Sequence, residues 1–338
     1  MAGLTILVVN AGSTSLKLSA VEDDDSADVV TSLAEAPEVT AVAHRIVHGG
    51  SRFREPVVVD DEVRRELETL TELAPLHNTP ALRALDEARR MLPALAHVAV
   101  FDTAFHATLP LEAATYAVPR RWREEWGIRR YGFHGLSVAW SAERVPVDHL
   151  VVCHLGGGCS VTAVLKGRSV DTTMGFSPLE GVPMGTRSGS IDPEITLYLL
   201  RHGLLELDEL ERQLEHESGL TGLAGTDRVR ELEASEEPEA RLALAVFSHR
   251  VAAAVAAMAA ALGGLDAVVF TAGIGEGSAP IRIDICRRLG FLGLELDERA
   301  NAAAEPDAEL ATIESPVRVW VVHAREDVVA ARAARTVL

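Results

Sequence analysis

Apolar positions in this chain come in short runs separated by glycine-rich breaks. Residues 5–9 form a β-branched, aliphatic run that stops at Asn10-Ala11-Gly12-Ser13-Thr14-Ser15. Residues 16–21 resume it, with Lys17 and Ser19 alternating against Leu16, Leu18 and Ala20, the period of a half-buried strand. The same order recurs 144 positions later, where residues 150–153 stop at His154-Leu155-Gly156-Gly157-Gly158 and 161–165 resume. Two copies of strand, glycine or hydroxyl loop, strand predict two similarly built domains facing each other across a cleft. A Walker A or Rossmann motif would place a helix after the glycines, and GxxxxGKS/T is absent.

Further strands are read at 42–50, 97–101, 267–271 and 317–322, and helical spacing at 61–73, 80–91, 193–202, 205–214, 241–262, 280–289 and 326–336. The acidic, poorly periodic stretch from Glu22 to Thr40 reads as a solvated loop, as do 75–78, 130–135 and the Gly/Thr-rich 218–230. Gly273-Ile274-Gly275-Glu276-Gly277 reads as a glycine loop entered from a strand. Strands, glycine loops and intervening helices together indicate the α/β class.

Composition narrows the partners. A chain of 338 residues with a formal charge of −18 lacks the basic footprint that a nucleic acid or an anionic membrane requires. If its substrates are anions, positive charge must be concentrated locally. Lysine occurs only at Lys17 and Lys166, arginine being the other 30 of 32 basic residues, so Lys17 beside a glycine loop stands out. Cys153, Cys159 and Cys286 lack metal-ligand spacing and suit small core residues in a reducing cytoplasm. No basic segment precedes the first apolar run, so no secretory signal is expected, and the Ala-rich 251–262 is too short to span a bilayer.

The candidate chemistry gathers at strand ends. Backbone N–H groups of a glycine loop can surround phosphate oxygens, and an arginine adds a planar fork for oxyanions. Residues 151–193 join such a loop to Arg187, a candidate contact for a transferred group. Arg45 has similar surroundings; together the two arginines would align a carboxylate and a phosphoryl group, or else form ordinary salt bridges. Asp102 ends a strand, where a carboxylate is catalytic, metal-binding or a helix cap. Asn10 and Glu326 are candidate Mg²⁺ contacts, and Glu326 alone would also suit a helix start. His134 could donate to a phosphoryl group or merely satisfy a carbonyl. No HxH or HExxH spacing indicates zinc.

The motifs as a set resemble the acetate kinase family, within the superfamily of acetate and sugar kinases, heat-shock ATPases and actin. They are NAGSTSLK at 10–17, HRIVHGG at 44–50, APLHN at 74–78, FDTAFHATLP at 101–110, YGFHG at 131–135, HLGGG at 154–158, VDTTMGFSPLEG at 170–181, MGTRSGSIDP at 184–193 and FTAGIGE at 270–276. The resemblance implies two actin-like (ribonuclease H-like) domains around a central cleft, 1–146 and 147–325, with the terminal helix 326–338 returning to the first. It implies reversible transfer of phosphate from ATP to acetate, giving acetyl phosphate and ADP, in a cytoplasmic homodimer using Mg²⁺ or Mn²⁺. A propionate kinase, or an ATP-binding module without turnover, is the alternative.

Carried over position by position, the resemblance gives Asn10 and Glu326 to the metal, Lys17 to the phosphates and Arg45 to the substrate carboxylate. Asp102 becomes the acid orienting carboxylate or metal, and His134 and Arg187 stabilise the phosphoryl in transfer. His154, Leu155, Gly156, Gly157 and Gly158 would cradle phosphate. Gly273, Ile274, Gly275, Glu276 and Gly277, with Asp227, Arg228 (or Arg230) and Val229, would hold adenosine. Val47, Leu76, Phe133 and Pro178 match the pocket for the methyl group. The 33 residues between Asn10 and His44 are fewer than the family has, so the first domain is expected to lack sheet or helix material.

Overall fold

The computed structural model describes residues 4–11, 16–73 and 75–338, with side chains at all of these except 72, 73 and 75–77. Two units are formed, one from Met1–Ala107, Ala117–Trp140 and Arg325–Leu338, the other from Thr108–Tyr116 and Ser141–Ala324.

In the first unit, the aliphatic run at the start becomes β1 (Ile6–Ala11), buried along its length except at Asn10. It pairs antiparallel with β2 (Leu16–Val21), which pairs with β3 (Ala27–Val30), and parallel with β4 (Ala41–Ile46). With β5 (Val57–Val58) and β6 (Ala96–Phe101) the sheet runs β3-β2-β1-β4-β6-β5. One face packs Leu7, Val9, Val42 and Ile46 under Leu82, Leu85 and Ala88 of the helix Pro75–Met91. The terminal helix Glu326–Arg335 packs on β1, β4 and β6. Alternation along β1 and β4 sets Asn10 and Arg45 opposite the Val9 and Ile46 face, and Arg45 Nη1 comes to 3.6 Å from Glu326 on that helix.

The terminal helix corrects the reading of 22–40 as a solvated loop. That stretch contains β3 and a 3-10 turn at Leu33–Glu35. Its acidic run receives the helix: Arg332 Nε donates to Asp25 Oδ1 at 3.0 Å, Arg325 Nη2 to the Asp25 carbonyl at 3.0 Å, and Arg335 Nη2 to the Val21 carbonyl at 2.8 Å. The Arg332 bond holds the Asp25 carboxyl below its ordinary range. These partners lie some three hundred positions away, so local composition could not reveal them. The interval after Asn10 supplies β2 and β3, two strands of a three-stranded meander.

The loop expected at 75–78 is helical. The helix begins at Pro75 and carries Pro80 inside, so it starts five residues before the helical spacing read at 80–91.

The second unit repeats the strand plan. β7 (His149–Leu155), β8 (Cys159–Leu165) and β9 (Arg168–Thr172) form the antiparallel meander, and β10 (Ala267–Thr271) and β12 (Arg318–Val321) extend it in parallel. The short β11 (Ala308–Glu309) closes the order β9-β8-β7-β10-β12-β11. The duplication read from two hairpins therefore extends to whole sheets. The helix Pro238–Leu262 is long and apolar enough to cross a membrane by composition, but its Phe247, Val251, Val255 and Leu262 are buried and it packs on β7, β8 and β9. Two expected loops contain helix: Gly219–Ala224 lies within 218–230 and Val229–Ala234 begins at its end, and Ala272–Gly277 replaces the glycine loop. Their turns are short and glycine-broken, which hides helical periodicity. Cys153, Cys159 and Cys286 are buried free thiols, and burial pushes the latter two up to about 12.

Candidate active site

The first unit brings four of the expected residues together at strand ends. Arg45 leaves β4 and grips Asp102, just past β6, with both branches of its fork: Nε to Oδ1 at 3.0 Å and Nη2 to Oδ2 at 2.5 Å. Its Nη1 donates to Asn10 Oδ1 at 3.0 Å and lies 3.6 Å from Glu326 Oε2. Asn10 Nδ2 in turn donates to Glu326 Oε2 at 3.2 Å. Asp102 is fully buried and the Arg45 side chain 14% exposed. Burial pushes the Asp102 carboxyl up while Arg45 pulls it back, and the Asp102 and Glu326 charges hold Arg45 protonated against its own burial. Of five guanidinium N–H groups, these bonds leave two with capacity for an incoming anion. Lys17, exposed on β2, stands directly opposite Asn10 in the ladder. Residues 12–15 lie outside the described residues.

His134 is half-buried with φ of 58°, the left-handed region that a non-glycine residue seldom occupies. That conformation turns its N–H to the Asp102 carboxylate. The next residue, Gly135, donates to the Asp102 carbonyl at 3.1 Å, and a Cβ there would stand 2.1 Å from that oxygen. Phe133 is buried, its carbonyl held by His106 Nε2 at 2.8 Å and its ring 5.4 Å from that of His48. Val47 is buried beside His48, whose backbone N–H and C=O both bond the Asn78 side chain at 3.1 Å. The Leu76 side chain is outside the described residues.

In the second unit, parallel pairing of β7 with β10 sets His154 opposite Thr271, so the strand ends leading into HLGGG and AGIGE are neighbours. Such ends of parallel strands are where α/β proteins hold ligands. His154 and Leu155 are buried in β7, and Gly156–Gly158 make the turn, closed by Gly156 N to Gly158 O at 3.0 Å. Gly185 N donates to Gly157 O at 3.3 Å, and Asp227 Oδ2 lies 3.1 Å from where Gly185 would carry a Cβ. Arg228 and Arg230 are exposed, Arg228 bridging to Glu231, while Val229 is buried. Gly273 and Gly277 are exposed. The Glu276 carboxylate points inward, accepting from the N–H groups of Ala272 and Ala324 at 2.9 and 3.0 Å.

Arg187 pairs with Glu215, Nε to Oε2 at 2.9 Å. Its loop is stitched to the chain after it: Ser218 N donates to Thr186 O and Leu220 N to Met184 O, both at 2.9 Å. Pro178, buried, sits in a turn stapled by Tyr116, whose hydroxyl accepts from Phe176 N at 2.8 Å and donates to Glu180. Asn78, Gly135, Tyr116 and Glu215 are not among the site residues expected from the sequence. Asn78 and Gly135 carried a signal, since both lie within quoted motifs; Tyr116 and Glu215 carried none.

Asn10 and Glu326 offer the hard oxygen donors that Mg²⁺ or Mn²⁺ takes, with few enough carboxylates to leave room for water and phosphate oxygens.

Residues 31–332 match the family model described as the acetokinase family. The acetate kinase of Synechococcus sp. (strain JA-2-3B'a(2-13)) is 48% identical over 318 residues, 90% of this chain and 78% of that protein. A propionate kinase from Francisella tularensis subsp. tularensis SCHU S4 superposes with a TM-score of 0.91 at 32% identity, covering 99% of this chain and 100% of that one. The acetate kinase of Porphyromonas gingivalis gives 0.86 at 30% identity, with 99% of each chain covered. Motifs, repeated sheets and relatives agree: this chain belongs to the acetokinase family and has its two-domain, actin-like α/β fold.

Proposed function

We propose that this kinase transfers the γ-phosphoryl group of ATP to acetate, reversibly, giving acetyl phosphate and ADP. A carboxylate oxygen of acetate forms the new bond to phosphorus as the bond from phosphorus to the β–γ bridging oxygen breaks. A carboxylate is already a competent nucleophile, so the protein's task is alignment and charge neutralisation. Arg45 holds the acetate carboxylate with the N–H capacity left over from Asp102 and Asn10, and Asp102 keeps that fork in place. Val47, Leu76, Phe133 and Pro178 receive the methyl group. His134 and Arg187 donate to the moving phosphoryl, Lys17 and His154–Gly158 bind phosphates, and Asp227–Val229 with Gly273–Gly277 take adenosine. Asn10 and Glu326 would hold Mg²⁺, which would neutralise phosphate charge when bound.

The observation that carries this reading is the Arg45–Asp102–Asn10–Glu326 cluster, in a chain of this family. The test is a hydroxamate assay of the purified protein with ATP, Mg²⁺ and acetate, propionate or butyrate. Acyl phosphate should form fastest from acetate; none from any acid would sink the reading. A propionate kinase is the second reading, favoured by the Francisella likeness. One methylene is worth only about 1–3 kcal/mol in discrimination, so a kcat/KM for propionate above that for acetate would promote it.

The helix Pro193–Arg201 buries none of its residues, and Ile195, Leu197 and Tyr198 are each about half exposed. A second copy of the chain would cover such an apolar helix, giving the homodimer, and Leu197→Arg should then shift the mass in light scattering to one chain. Buried free thiols accord with a cytoplasmic location.

A further inference from the structure

The second unit buries one cation that no site motif contains. Arg282, on the helix Ala279–Arg288, is 2% exposed and, among the described residues, the largest of the fully buried side chains. Its guanidinium makes four hydrogen bonds, all to neutral acceptors. Nε donates to Asn301 Oδ1 at 2.6 Å and Nη2 to the Asn301 carbonyl at 3.0 Å. Nη1 donates to the carbonyls of Gly275 and Glu276, both at 2.8 Å. Asn301, itself 1% exposed, is anchored by Nδ2 to the Ala279 carbonyl at 3.0 Å.

A buried guanidinium without a contacting carboxylate is a poor device for stability, because an apolar side chain of similar volume would serve as well or better. Burial accordingly lowers the Arg282 pKa, with the more distant Glu233 opposing the shift. What the guanidinium does supply is local. Gly275 and Glu276 lie in the last turn of Ala272–Gly277, where helix carbonyls have no partner of their own, and Arg282 takes both. The other end of the segment is held as well: Ala272 has φ of 66° and donates its N–H to Glu276 Oε1 at 2.9 Å. The segment is thus fixed at its start by a carboxylate and at its end by a cation.

We propose that Arg282, braced by Asn301, is a positioning residue for nucleotide: it fixes the backbone of Gly273–Gly277, the segment that takes adenosine, and its positive charge favours an anionic ligand over a neutral one. This rests on the reading that Gly273–Gly277 contacts the nucleotide. The expected signature is selective. Nucleotide affinity falls, while the acetate side, built on the first unit's Arg45, does not move.

The test compares wild type, Arg282→Lys and Arg282→Met by calorimetric titration with ADP, alongside KM for ATP and for acetate and a thermal melt. Arg282→Met should weaken ADP binding at least tenfold and raise KM for ATP by a similar factor, leaving KM for acetate within twofold. Arg282→Lys keeps the charge but cannot bridge the segment and Asn301 together, so it should recover part of the ADP affinity. Should Arg282→Met fail to fold, Asn301→Ala removes the brace alone, and about a threefold loss of ADP affinity is expected. Variants that melt lower yet bind ADP like wild type would reduce Arg282 to a structural residue and overturn the proposal. A wild-type protein that binds no ADP would instead overturn the nucleotide reading beneath it.

Discussion

Arg45 concentrates more chemistry than any other side chain in the first unit. Three of its N–H groups are committed, two to Asp102 and one to Asn10, and the planar fork is what lets one residue meet both at once. A lysine there keeps the charge but is a point donor that cannot span Oδ1 and Oδ2 while reaching Asn10. Arg45→Lys should therefore lower kcat/KM for acetate by at least roughly 10²-fold, about 2.7 kcal/mol of transition-state stabilisation. A steady-state value within threefold of wild type would remove the fork from the mechanism. Asp102→Ala asks a different question. It leaves a mostly buried guanidinium bonded to Asn10, with the Glu326 carboxylate at 3.6 Å, and breaking such a pair costs about 3–5 kcal/mol of stability, to be read from the urea midpoint. Asp102 was legible in the sequence because it closes an apolar run, where a polar residue has few structural uses, and Arg45 because it sits in a strand that runs into glycines, HRIVHGG. Glu215 was not, because nothing in LERQLEHESG marks which of its acids turns toward Arg187.

At the scale of elements, the loop from β9 to the helix Pro193–Arg201 has no regular structure, yet it carries both Pro178 and Arg187. It is held from outside. Gly219 is the tightest of its supports: φ is 61°, and a Cβ would stand 2.2 Å from the Met184 carbonyl and 2.7 Å from the Arg187 carbonyl. Gly219→Ala must push the Arg187 backbone away, and displacements near 1 Å can cost about 10²-fold in rate. Expected is a fall in kcat of that order with KM for ADP and ATP changed little; an unchanged kcat would show that Arg187 does not depend on this contact. Residues 218–230 look like loop because glycine and threonine lack helical periodicity, and a glycine chosen for close approach is indistinguishable in one sequence from a glycine chosen for a turn. The two hairpins were legible for the opposite reason, since alternation broken by glycine is a pattern of the strand itself. The acidic run at Asp23–Asp25 shows the limit between these cases: its charge was read correctly as polar, but its partners sit on the terminal helix.

Across the whole molecule the two sheets share one strand order, yet the two units should not share one response to acid. Besides His48, the described residues of the first unit bury three histidines: His44, His97 and His106. His97 Nε2 faces the Leu92 carbonyl at 3.1 Å and must carry a proton there, so its Nδ1 accepts from His44 Nε2 at 2.9 Å. His44 Nδ1 is then buried without a hydrogen bond. His106 donates from Nε2 to the Phe133 carbonyl. All three are neutral, and burial holds His44 down to about 3 and His106 to about 4, against an ordinary 6.5, with His97 also lowered. The unfolded chain takes up these protons below pH 6.5 and the folded unit does not. Stability is therefore full above about 6.5 and falls as pH drops toward 4, by about 1.4 kcal/mol per pH unit for each histidine. His44 and His106 alone should remove about 4 kcal/mol between pH 7 and pH 5. Three of the four tryptophans, Trp122, Trp126 and Trp140, belong to the first unit, so fluorescence in urea at pH 7, 6 and 5 reads mainly this transition. Its midpoint should fall steeply with pH, and His106→Gln, whose amide can still donate to the Phe133 carbonyl, should abolish about half of that fall. A midpoint that stays level from pH 7 to 5 would mean that the histidines exchange protons freely in the folded unit, and that the core under the helix Pro75–Met91 is open to water.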